Sequence, residues 1–187
     1  MLSLSEADRR AALQLAREAV VEAVSHRQLP AVISHQGIFA EYRGVFVTLH
    51  VHQRLQGCIG VVEAKEPLGD AIIRCAASAA TQDPRFAPMK PEQLRELSIE
   101  ISLLSPIEPI VPESIEIGRH GLLVLLRAHR GLLLPQVAIE LRLSREQFLE
   151  ETCRKAGLPR EAWRDPEARI FAFTCEVFSD TDRQEAV

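Results

Sequence analysis

The clearest alternation in the chain is LSIEISLL, residues 97–104, with Leu97, Ile99, Ile101 and Leu103 on one face. Ser98, Glu100 and Ser102 take the other, and a period of two with one apolar face marks a half-buried strand. GVFVTLHV, residues 44–51, alternates in the same way: Val45, Val47, Leu49 and Val51 oppose Phe46, Thr48 and His50. Its β-branched residues fit a pleated surface. RLQGCIGVVE follows at once, so the pair is expected to form a hairpin turning near His52 and Gln53. Its register stays open, because a slip of one residue would exchange the two faces.

Helical periods occupy other stretches. Ser5 and Asp8 form a capping box ahead of an apolar stripe through Ala12, Leu15, Ala16, Ala19, Val20, Ala23 and Val24. Leu29-Pro30 ends or closely follows this helix, and residues 31–42 are expected to be irregular. Pro67 opens an Ala-rich helix, PLGDAIIRCAASAATQD, whose small residues allow close packing on a sheet. DPRFAPMKP separates it from a short helix at Glu92–Glu96. GLLVLLRA and RGLLLP read as a second hairpin. Ser144 and Gln147 cap a further helix that Gly157 ends. RIFAFTCEVF is expected to be one strand, with Phe171, Phe173, Cys175 and Val177 on one face. Strands come in hairpins rather than alternating singly with helices, which predicts an α+β fold of mainly antiparallel sheets flanked by helices. The three prolines of SPIEPIVPES make residues 105–114 the expected subdomain boundary within a single domain of 187 residues. No repeat is visible in the sequence.

Composition narrows the function classes. A chain with 22 basic and 26 acidic residues, net charge -4, is a poor general binder of nucleic acid. No apolar run is long enough to span a bilayer, and MLSLSEADRR lacks the architecture of an export signal. The expected compartment is the cytoplasm. Cys58, Cys75, Cys153 and Cys175 are widely spaced with no C-x-x-C, which favours thiols over disulfides there. P-loop, G-x-G-x-x-G, H-E-x-x-H and G-x-S-x-G motifs are missing.

The candidate chemistry centres on Cys58, framed by Gly57 and Gly60. It is either a nucleophile or soft ligand with side chains held away from its sulfur, or a small buried hydrophobe. Cys75, Cys153 and Cys175 are assigned to packing. His50 and His52 could join Cys58 around zinc or copper, but polar residues are ordinary at a hairpin tip, and no metal is assigned. His120, between Gly118 and Gly121, is the candidate general acid or base, or else a polar turn residue. Asp83 and Arg85 bracket Pro84; Arg85 could clamp a carboxylate or phosphate with Asp83 orienting it, or the two could pin the loop. Glu100 is a site carboxylate or a surface residue. Gln136, where a strand hands over to a helix, could cap that helix or meet a ligand.

LQGCIG resembles the signature hexapeptide of the AMMECR family. GVFVTL, AASAATQDPRFAPM, LSIEISLL, IEIGRHGLLV, GLLLPQVAIE and FLEETCRKAGLP follow the family order, from about Gly44 to Phe178. The likeness is greatest to the bacterial branch called AmmeMemoRadiSam system protein A. It implies two intertwined subdomains around antiparallel sheets, and association with a Memo-like and a radical-SAM protein. The family's activity is unsettled and no cofactor can be named. The resulting expectation is an enzyme or enzyme subunit with Cys58 and His120 as catalytic residues. Gln56, Gly57, Gly60, Asp83, Arg85, Glu100 and Gln136 would bind substrate. The alternatives are a non-catalytic binding or scaffold module, or a factor in RNA or base modification; a homodimer stays open. One departure stands out: the family hexapeptide carries Arg where this chain has Gln56. Arg54, taken to share a strand face with it, is the expected substitute.

Overall fold

The computed structural model describes residues 4–26, 28–30, 36–63 and 65–181. The chain divides into two units, Met1–Leu103 with Glu176–Val187, and Leu104–Cys175.

The first unit opens with helix α1 (Glu6–Val24), started by the Ser5–Asp8 capping box. Strands β1 (Val45–Val51) and β2 (Arg54–Val61) form the first hairpin. Its turn residues His52 and Gln53 both have positive φ, +51° and +62°, as the tightest antiparallel turns require. Helix α2 (Leu68–Thr81) crosses back, and β3 (Leu97–Leu104) pairs antiparallel with β1. The expected short helix before β3 is a 3₁₀ helix, Pro91–Glu96. Val45, Val47, Leu49 and Val51 join Ile99, Ile101 and Leu103 in a core covered by α2 and α1. Ala71, Ala76, Ala79 and Ala80 are all buried, so α2 sits close on the sheet. Of the irregular stretch expected at 31–42, residues 31–35 lie outside the described residues, and Gly37–Ala40 is a 3₁₀ turn.

The second unit contains β4 (Glu108–Pro109), the hairpin β5 (Gly121–Leu126) and β6 (His129–Leu133), and helices α3 (Pro135–Glu140) and α4 (Arg145–Lys155). β7 (Arg169–Phe173) completes a sheet of order β4-β7-β5-β6. Leu122, Ala138, Phe148, Leu149 and Ala172 form its core. Ser144 caps α4 as expected, and Gly157 follows it at φ +72°.

RIFAFTCEVF is not one strand. It breaks at Thr174, whose N–H donates to Ser105 Oγ at 2.9 Å while its carbonyl accepts from Ser105 N–H at 2.9 Å. The remainder is β8 (Cys175–Ser179), which joins the first sheet to give β2-β1-β3-β8. The break turns Val177 out to 41% exposure and leaves Cys175 half-buried, so neither belongs to a continuous apolar face.

The two units share one topology: a hairpin, a helical crossing and an antiparallel return beside the hairpin's first strand. Each return strand then continues into the other sheet, β3 leading to β4 and β7 to β8. The chain therefore passes from the first sheet to the second and back again. No helix among the described residues is long and apolar enough to cross a membrane.

Candidate functional site

β2 is an edge strand, and its register settles which side chains meet. His50 pairs with Leu55 but Leu49 with Gly57, so Gln56 is an extra residue in a β-bulge. Past the bulge, Gly57 lies on the core side opposite Leu49, and Cys58 lies on the other face opposite Thr48. Before it, Arg54 pairs with Val51, a core-side residue. Arg54 is thus on the opposite face from Cys58, because the bulge shifts the alternation by one residue. It cannot stand in beside the thiol for the family arginine.

Both glycines are accounted for by the protein's own packing. A Cβ on Gly57 would fall 2.1 Å from the carbonyl oxygen of Ala79, so its absence lets the α2 backbone lie against β2. A Cβ on Gly60 would fall 2.3 Å from the Phe46 ring. These contacts, rather than clearance around the sulfur, are what the glycines provide.

Asp83 and Arg85 close the edge of β2 at Cys58. Asp83 Oδ2 accepts the Cys58 N–H at 2.9 Å, and the Arg85 guanidinium donates to the Cys58 carbonyl at 3.2 Å. Together they do what a neighbouring strand would do. The pair is bidentate: Arg85 Nε to Oδ1 at 3.0 Å and Nη2 to Oδ2 at 2.7 Å, with the Arg85 N–H adding a bond at 3.1 Å. Asp83 is buried, its side chain 2% exposed, while that of Arg85 is 55% exposed. The Arg85 guanidinium holds the Asp83 carboxyl far below the usual carboxylate range; burial opposes this, and the Cys58 and Arg85 N–H groups assist. Arg85 is raised in turn, mainly by Asp83, with the Cys58 side chain pulling the same way.

The remaining candidates in this unit have specific places. Gln56 Nε2 donates to the Ala87 carbonyl at 3.0 Å, and Gln93 Nε2 donates to Gln56 Oε1 at 3.4 Å. Its amide thus helps hold the segment after α2 along the strand edge. Glu100, half-buried on β3, lies directly across from Thr48. His50 shares that face, but His52 leaves it at the turn and lies 3.7 Å from Glu96. Among the described residues no group of three or more His, Cys, Asp or Glu could hold a metal. Thr48 went unnoticed in the sequence, yet its hydroxyl donates to Cys58 Sγ at 3.3 Å. Alternation put it on the outward face of β1; only the register shows that it faces the cysteine.

His120 and Gln136 belong to the second unit. His120 Nδ1 accepts the Glu116 N–H at 3.1 Å, and its own N–H donates to the Glu116 carbonyl at 3.0 Å, closing a turn. Gln136 lies in the first turn of α3, where its buried Oε1 has no partner among the described residues. Cys75 and Cys153 are fully buried, and burial pushes the Cys75 thiol up to about 11. A cavity of about 560 Å³ lies along α1 and residues 178–180, lined by Arg9, Arg10, Arg17 and Asp180 among others. None of the candidate residues lines it.

Residues 13–178 match the AMMECR1 family. The chain belongs to that family. A protein of Methanothermobacter thermautotrophicus is 43% identical over 185 residues, covering 95% of this chain and 96% of its own. Protein TK0174 of Thermococcus kodakarensis is 42% identical over 181 residues, 90% of this chain and 88% of its own. The crystal structure of uncharacterized protein PH0010 from Pyrococcus horikoshii is similar at a TM-score of 0.82 and 38% identity, covering 90% of this chain and 89% of that one. The α+β fold of this AMMECR1 chain, with its two antiparallel sheets, matches that neighbour.

Proposed function

We propose that this AMMECR1 protein is of the AmmeMemoRadiSam system protein A type, a cytoplasmic enzyme or enzyme subunit working with Memo-like and radical-SAM partners. Cys58 is its nucleophile or soft ligand, and Arg85 anchors an anionic group of the substrate. One observation carries this reading. Cys58 is half-buried with both of its main-chain polar groups clamped by a bidentate pair of buried Asp83 and half-exposed Arg85. Such a clamp fixes the backbone that carries the sulfur and places a cation on the same residue, as a site for an anionic substrate group needs.

A binding or scaffold role is the second reading. It is favoured by Gly57 and Gly60, whose absent side chains are explained by α2 and Phe46 without any substrate. Mild alkylation with iodoacetamide, followed by mass spectrometry of each cysteine, separates the two. In the catalytic reading Cys58 reacts about tenfold faster than Cys175, the other half-buried thiol. Equal rates for the two would remove the nucleophile.

A further inference from the structure

We infer that Thr48 is the positioning residue of Cys58: its hydroxyl donates to the sulfur and aims it. This rests on the reading of Cys58 as a nucleophile, and it adds a residue and a mechanism to it.

The backbone prepares the contact. Thr48 and Cys58 are direct partners across β1 and β2. The Cys58 N–H and carbonyl turn outward to Asp83 and Arg85. The two residues therefore form a pair without mutual main-chain bonds, the closer of the two antiparallel kinds, with Cα atoms about 4.5 Å apart. That closeness puts Oγ1 within 3.3 Å of Sγ. Threonine is branched at Cβ, so few rotamers compete and the hydroxyl stays aimed.

The second sheet shows that folding does not demand these groups. Its row in the matching position also runs edge strand, first hairpin strand, return strand. Gly57–Leu49–Ile99 in the first sheet corresponds to Gly131–Val124–Ile170 in the second. The next row is Cys58–Thr48–Glu100 in one and Leu132–Leu123–Phe171 in the other. The same scaffold position is filled once by three polar groups and once by three apolar ones.

The chemistry follows from what sulfur accepts. A hydrogen bond donated to an anion is about twice as strong as one to a neutral acceptor. Thr48 thus grips the sulfur most firmly once its S–H proton has left to water, and so holds the reacting atom in place. No oxidant or second reactant is involved.

Thr48→Val keeps the branched shape and removes the hydroxyl; Thr48→Ser keeps the hydroxyl. Iodoacetamide modification of Cys58 at neutral pH is measured in the intact chain, with Cys175 as the reference in the same molecule. Thr48→Val should slow Cys58 by about three- to tenfold, from the loss of the one bond that holds the reacting sulfur. Thr48→Ser should return to within about twofold of the wild type, and Cys175 should not change in either. A wild-type rate in Thr48→Val, or a Thr48→Ser as slow as Thr48→Val, overturns the role of Thr48. The parent reading fails on a different result, a wild-type Cys58 no faster than Cys175, so the two failures are told apart.

Discussion

The two sheets carry the same packing device at the same place. In each, a glycine on the edge strand lets a helix backbone rest on the sheet: Gly57 under Ala79 of α2, and Gly131 under Thr152 of α4. Each of those helices also buries a cysteine completely, Cys75 in one and Cys153 in the other. The units part company at the strand edge. Beside Cys58 the edge is closed by an ion pair whose carboxylate is buried, whereas beside His129 the helix end reaches across, with the imidazole 3.2 Å from the Ala156 carbonyl. The lesson is that Gly57 and Gly131 report helix approach and carry no information about reactivity. The departure from an apolar row, together with a buried carboxylate and its arginine spent on one residue's backbone, is the feature that singles out Cys58.

If the glycines are equivalent, Gly57→Ala and Gly131→Ala should be equally disruptive. Each new Cβ would meet backbone atoms, at 2.1 Å from Ala79 O in one case and 2.4 Å from Thr152 O in the other, so a helix must shift. Each is expected to cost about 3 kcal/mol by thermal or denaturant unfolding. A Gly57→Ala protein of normal stability would break the comparison and return Gly57 to a role at the site. Next in size is Arg85→Ala, at about 2–3 kcal/mol, because it strands a carboxylate that is 2% exposed. Half of Arg85 is in water, so the lower end applies. Arg127→Ala, from the exposed Arg127–Glu167 pair, should change stability by less than about 1 kcal/mol. Equal effects for the two arginines would mean that the clamp is ordinary surface pairing.

The parts of this picture legible in the sequence are those set locally. The alternation of LSIEISLL, the hairpin at His52-Gln53, and the caps at Ser5 and Ser144 all depend on residues within a few positions. Asp83 and Arg85 were also readable as a pair across Pro84. What they grip was not, since Cys58 lies 25 residues away and the bonds go to its backbone, which has no signature in sequence. The bulge at Gln56 was hidden for a related reason: one extra residue leaves composition untouched but moves Arg54 to the far face. The break at Thr174 escaped because the apolar pattern runs on without a turn signal, although its halves serve different sheets. The shared topology of the units left no visible repeat, since unlike residues fill corresponding rows.

Acid should test the clamp without changing its geometry. The Asp83 carboxyl is depressed in the folded chain, so its contribution is complete above the unfolded carboxylate value, about 3.9. It is lost progressively as pH falls below that toward the folded value. Unfolding midpoints measured from pH 6 to pH 3 should therefore drop more steeply in the wild type than in Asp83→Asn, which has no proton to take up there. Parallel curves would mean that other carboxylates set the acid limb.

The smallest effect concerns the feature the two units share most closely. A thiol whose folded value is raised keeps its proton while the unfolded chain, near 8.5, gives it up; stability is full below that pH and falls above it. Burial raises Cys75 to about 11 and raises Cys153 as well, where a main-chain hydrogen bond at Trp163 works against it. Between pH 8.5 and 9.5 each should cost about 1 kcal/mol or less, since one pH unit can contribute no more than about 1.4 kcal/mol per group. Cys75→Ala and Cys153→Ala should each flatten part of this alkaline loss, the former more than the latter. If neither variant flattens the curve, the burial shared by the two helix cysteines is not what governs their protons.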